Sequence, residues 1–147
     1  MNTVQSPDCS VLNVFGVDVR ILSESRDPAD SHVVTRLDCA PGIGAPPHRH
    51  AEREAFYILS GEVTLTVDGS DRVLRAGDFL QVEPDTPHHF RNSGGDTARI
   101  INLSQPAGHG DFFRAAHALH ASGRFTPENA VVVSREHGIE ILRAPGT

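Results

Sequence analysis

The stretch from about Val11 to Leu103 is written in short runs rich in Val, Ile, Leu, Thr and Phe, each cut off by turn residues. VLNVFGVDVRIL, HVVTRLDC, EAFYILS, EVTLTVD, DRVLR, FLQV, HHFRN and ARIINLS follow one another at close spacing. Runs of this length suit half-buried strands and are too short for helices, so this region is restricted to an all-β sandwich, jelly roll or barrel. The turns support this. Asp68-Gly69 has the composition of a type I′ hairpin turn, and RAGD (75–78) and NSGGD (92–96) are further chain reversals.

After Pro106 the pattern changes to a helical period. GDFFRAAHALHAS (110–122) places Phe112, Phe113, Ala116 and Leu119 on one face. TPENAVVVSREHG (126–138) predicts a second helix, with Thr126 as N-cap, Pro127 in the first turn and Gly138 just past the end. IEILRAP (139–145) reads as a short strand or a tail. With 147 residues, the chain has the length of one domain: a strand-built core over about 11–104 and a helical extension over about 107–147.

Composition excludes several functions. The net charge of −6 is spread without blocks, which disfavours nucleic acid or an anionic membrane as partner. No apolar stretch approaches the roughly 20 residues of a membrane span. MNTVQSPDCS lacks the basic and apolar regions of a signal peptide, and Cys9 and Cys39 do not make a disulfide framework. The expected compartment is the cytoplasm.

The chemistry is concentrated in PPHRHAEREAFYILSG (46–61). His48 and His50 are two apart, so on a strand they share a face and can chelate a divalent metal. Glu54 can reach the same point if the chain turns around Ala51–Arg53. DTPHHFRN (85–92) adds His88 and His89, again in strand-like text after a proline turn. Histidines with a carboxylate suit Fe, Mn, Ni, Co, Cu or Zn. A single histidine is ordinarily a surface or core residue, and only the joint pattern changes that. His32, His109, His117, His120 and His137 stand outside the pattern and read as ordinary.

Gly42, His48, His50, Glu54 and Gly61 stand at the spacing of the first cupin motif, and Gly77, His88 and Asn92 at that of the second. Glu83 and Asp85 replace the second motif's proline and glycine, with Pro84 and Pro87 available to set the turn and Asp85 able to take left-handed geometry. The chain thus resembles the small single-domain cupins, most closely the quercetin-dioxygenase-like ones. The resemblance implies a cupin jelly-roll or β-barrel (a double-stranded β-helix) with two short C-terminal helices appended. It also implies one divalent transition metal held by His48, His50, Glu54 and His88, with Glu54 as catalytic base. His89 then faces away, and Asn92 is a turn or supporting residue. Strand alternation turns Phe56 and Phe90 inward as pocket-wall candidates. Arg36 and Arg99 are the charged residues in strand text that can face a cavity, and Arg36 joins the candidate pocket. The implied activity is a dioxygenase for a small apolar or aromatic enol- or phenol-type substrate. The alternatives are a non-redox isomerase, decarboxylase or polyketide cyclase on the same metal, or a non-catalytic small-molecule binder. A homodimer is expected, with the strand VLNVFGVDVRIL pairing across its interface.

Overall fold

The computed structural model describes residues 10–143. Strands β1 (Leu12–Val14), β2 (Val17–Ser25) and β3 (His32–Cys39) open the chain; β4 (Gly44–His50), β5 (Arg53–Ser60), β6 (Glu62–Val67) and β7 (Ser70–Arg75) follow. Then come β8 (Phe79–Val82), β9 (His88–Asn92), β10 (Ala98–Gln105), helices α1 (His109–Ala121) and α2 (Pro127–Glu136), and β11 (Ile139–Ile141). The strands form two antiparallel sheets, ordered β1-β2-β3-β10-β5-β8 and β11-β4-β9-β6-β7. This is a jelly roll with two helices, the fold that the resemblance implies.

Alternation along the central strands builds the interior. In β3, Val33, Thr35, Leu37 and Cys39 are turned inward; in β5, Glu54, Phe56 and Ile58; in β10, Ala98, Ile100, Asn102 and Ser104. The registers Ile100↔Leu37 and Ile100↔Ile58 stack apolar side chains, while Asn102↔Thr35 and Ser104↔Glu54 stack polar ones. One end of the barrel interior is therefore apolar core and the other is polar.

Four expectations about elements are met. Asp68 and Gly69 have φ of 50° and 82°, as a type I′ turn requires. Asp85 adopts φ 61°, and its N–H donates to the His50 carbonyl at 2.8 Å. Thr126 Oγ1 accepts from Asn129 N–H at 3.0 Å. Gly138 follows α2 at φ 75°. IEI becomes β11 and pairs with β4, with Ile139 opposite His50 and Ile141 opposite His48.

One expectation is corrected. VLNVFGVDVRIL is not one strand but the hairpin β1–β2, reversed at Phe15 (φ 53°) and Gly16 (φ 93°). β2 pairs with β3 of its own chain, and β1 forms the sheet edge. Phe-Gly carries no hairpin signature, because a bulky residue at positive φ is unfavourable. Here Phe15 is held by packing, its ring lying 5.8 Å from Phe112 and 5.7 Å from Phe125. Cys39 is buried and free, and Cys9 lies outside the described residues. Among the described residues no helix is long and apolar enough to cross a membrane.

Candidate metal centre

Strand β4 carries two prolines, which have no N–H for the ladder. Between Ala45 (opposite Phe90) and His48 (opposite His88) it holds one residue more than β9, which makes a β-bulge. Without that extra residue, alternation would put Ala45 and His48 on opposite faces; with it, Ala45, His48 and His50 all line the interior. Gly44 allows the close approach this needs. A Cβ there would sit 1.8 Å from the Phe90 carbonyl oxygen.

The bulge brings together three imidazoles. The ring centroids of His48 and His88 are 4.3 Å apart, and His50 lies 5.3 Å from His48 and 5.0 Å from His88. Glu54 arrives from the facing sheet, with its Oε2 3.2 Å from His50 Nε2 and 2.8 Å from His88 Nε2. The ligand-capable atoms of His48, His50, Glu54 and His88 all lie within 4.8 Å of one another.

Backbone carbonyls set the tautomers. His48 Nδ1 donates to Pro46 O (2.6 Å), His50 Nδ1 to Glu52 O (3.0 Å) and His88 Nδ1 to Thr86 O (2.8 Å). Each Nδ1 thus holds its proton, and each Nε2 presents a lone pair to the interior. Burial, reinforced by the neighbouring His88, pushes His48 down to about 3, so it is neutral at physiological pH. Burial opposes ionisation of Glu54, but the His50 and His88 imidazoles beside its Oε2 outweigh that and hold this carboxyl well below the usual range. Three lone pairs and a carboxylate in so small a space repel one another unless a cation sits among them. This N3O donor set fits a divalent transition metal.

Residues 35–104 match the cupin domain family. Over 80 residues the chain is 30% identical to quercetin 2,3-dioxygenase of Bacillus subtilis, covering 53% of this chain and 24% of that protein. Over 91 residues it is 28% identical to acireductone dioxygenase of Bacillus pumilus, covering 54% and 52%. The crystal structure of an RmlC-like cupin from Shewanella frigidimarina superposes with a TM-score of 0.67 at 20% identity, over 76% of this chain and 96% of that one. The chain carries a cupin domain. It spans about a quarter of the first curated relative and about half of the second.

The four donors of this domain stand at the wall of a cavity of about 70 Å³. Its other walls are mostly apolar, with Phe15 from the first hairpin, Phe90 from β9, Phe112 and Phe113 from α1, and Ile139 and Ile141 from β11, beside the polar Asn102 and His109. The C-terminal extension therefore caps its own barrel, and β11 covers the outer edge of the strand that bears His48 and His50.

Of the predicted pocket residues, Phe90 lines the cavity, while Phe56 and Arg36 do not. Phe56 does face inward, but at 1% exposure it is filled in behind Phe90, ring to ring at 5.7 Å. Arg36 follows Thr35 and precedes Leu37, both inward, so it lies on the outer face, where its Nε and Nη2 bind Asp38 at 2.9 and 2.8 Å. Arg99 is on that face too, 3.9 Å from Asp38. Asn92 supports a turn: its amide donates to Cys39 O and Asp96 O.

Two residues of the centre escape sequence reasoning. Asn102 Nδ2 donates to Glu54 Oε1 at 3.1 Å, which fixes the carboxylate so that Oε2 faces the imidazoles. The available signal was a run of polar residues, Asn102 and Ser104, at the inward positions that follow Ala98 and Ile100. His109, read as ordinary, is 3% exposed in the cavity wall, with its ring 4.6 Å from His50. No sequence signal marks it, because it lies at the start of a helix 59 positions after His50.

Proposed function

We propose that this cupin is a mononuclear metal-dependent dioxygenase acting on a small apolar or aromatic substrate that carries an enol or phenol hydroxyl. The observation behind this is the convergence of His48, His50, Glu54 and His88 on an apolar cavity whose walls contain no arginine. Similarity to two dioxygenases supports the reaction class. Among the described residues the walls carry no arginine to hold a phosphate or a dicarboxylate, and most of their surface is apolar. A cavity of about 70 Å³ is smaller than the roughly 150 Å³ apolar void that takes up benzene. The substrate is therefore ring-sized at most, and a ring enters only if a capping phenylalanine turns aside.

When bound, the metal supplies Lewis acidity and, if redox-active, one-electron chemistry with dioxygen. His48, His50 and His88 would hold it through their Nε2 atoms, beside the Glu54 carboxylate. Glu54 is ionised at neutral pH and would accept the substrate's hydroxyl proton once a bound metal had made that hydroxyl more acidic. Asn102 keeps Glu54 oriented while the charge changes.

The test is metal content by plasma mass spectrometry, with a His48→Ala control, followed by oxygen uptake with a panel of small enols and phenols. About one redox-active metal per chain, lost in the control, together with oxygen uptake, supports the proposal. Zinc alone with turnover in the absence of oxygen would replace it with the isomerase, decarboxylase or cyclase class. No metal after reconstitution would overturn it.

A further inference from the structure

Of the three imidazoles at the centre, His48 and His88 are backed by a backbone carbonyl. His50 has more behind it. Its Nδ1 donates to Glu52 O at 3.0 Å, and the Glu52 side chain folds back so that Oε2 lies 3.5 Å from the same nitrogen. On the far side of that carboxylate stands His109, with Nε2 3.4 Å from Glu52 Oε2. Both atoms are buried, and neither has a closer hydrogen-bond partner elsewhere. The His109 ring also meets His50 edge-on, at 80° and 4.6 Å between centroids, where it obstructs rotation of the ligand ring.

We propose that His109 and the Glu52 carboxylate are a positioning pair for His50, through which helix α1 sets the geometry of the metal centre. The proposal rests on the metal reading above. A carboxylate behind an imidazole N–H fixes the ring and makes the opposite nitrogen a stronger donor. Among the three imidazoles, His50 receives this support, and it comes from the C-terminal extension. His50 Nδ1, Glu52 Oε2 and His109 Nε2 lie within 4.8 Å of one another. Because Nδ1 donates its proton to Glu52 O, it has no lone pair to offer an ion, and the trio reads as a support for the His50 ring rather than a second ion site.

The start of α1 is placed firmly enough for this role. Arg114 Nη2 binds Glu24 Oε1 at 2.5 Å, and Arg26 pairs with Asp111, which ties the first turn to β2 and the loop after it. Gly110, next to His109, lies so close to β2 that a Cβ would stand 2.0 Å from Glu24 Oε2. Phe112 and Phe113 stand three and four residues beyond His109 on the same helix and line the cavity. A substrate pressing on the cap therefore presses on the element that holds His50.

The test uses Co(II) as probe on the full chain, reading affinity by chelator competition and geometry by the visible ligand-field spectrum. Glu52→Gln and His109→Phe are expected to weaken Co(II) binding about 10- to 100-fold and to change the spectrum. His109→Gln, which keeps an N–H donor within reach of Glu52, is expected to recover most of both. Melting curves in chelator show whether each variant folds. If His109→Phe does not, Glu52→Gln carries the test, because it exchanges one side-chain oxygen for nitrogen. Wild-type affinity and an unchanged spectrum in the folded variants would overturn the pairing while leaving the metal centre intact. Two Co(II) per wild-type chain would overturn it in favour of a second ion site. A wild-type chain that binds no Co(II) would remove the metal reading, and this inference with it.

Discussion

Lowering the pH from 7 to 5 should cost the metal-free protein about 2 kcal/mol of stability through His48 alone, by proton linkage. This imidazole ordinarily titrates at 6.5, and burial beside His88 pushes it down to about 3 in the folded chain. At pH 7 neither state binds much proton there. At pH 5 the unfolded imidazole is almost wholly protonated and the folded one is still neutral, so protonation favours the unfolded state. The stabilisation is complete above the ordinary value and is lost as the pH falls toward the folded one. The unfolded proton-binding factor is ~33 at pH 5 and ~1.3 at pH 7, and RT times the logarithm of their ratio is about 2 kcal/mol. Any folded value below ~4 gives nearly the same result, so the prediction depends on the direction of the shift and not on its full size. For a domain of this length the loss corresponds to roughly 4–8 °C in melting temperature. The assay is urea unfolding at both pH values in chelator, wild type against His48→Gln. Other histidines titrate in both proteins, so the quantity that matters is the difference between their pH slopes. Equal slopes would show that His48 is not held neutral in the interior.

Three further outcomes are expected. Gly44→Ala, whose Cβ would stand 1.8 Å from Phe90 O, should separate β4 from β9, cost about 3 kcal/mol or more and impair metal binding; normal stability in a urea titration would refute the close approach. Phe112→Ala removes a side chain that is 6% exposed and packed on Phe15. It should cost about 3–5 kcal/mol while enlarging the cavity, and a loss under about 1 kcal/mol would mean that α1 does not cap the barrel. The chain is expected to form a homodimer that covers the exposed Tyr57, Leu59 and Phe79 near the β8 edge, and a monomeric mass in light scattering at micromolar concentration would refute that.

What could be read from the sequence was local. The His48/His50 spacing, the turn at Asp68-Gly69, the cap at Thr126 and the inward faces of β5 and β9 all follow from periods and turn rules that act within a few residues. Joined to the cupin motif spacing, these rules were enough to propose four donors, which the structure brings within 4.8 Å of one another. They give the face of a side chain but not its depth, so Phe56 and Phe90 looked alike although only Phe90 reaches the cavity. They also do not say which of two strand faces is the interior, which is why Arg36 was misplaced. Tertiary structure decided the rest. Asn102 meets Glu54 across 48 residues, Phe15 takes positive φ because Phe112 and Phe125 hold it, and β11 returns to pair with β4. His109 reaches Glu52 only because α1 packs over the barrel mouth. Contacts of this kind are set by how apolar faces are buried against one another, and a packing solution for the whole chain leaves no mark in any short stretch of it.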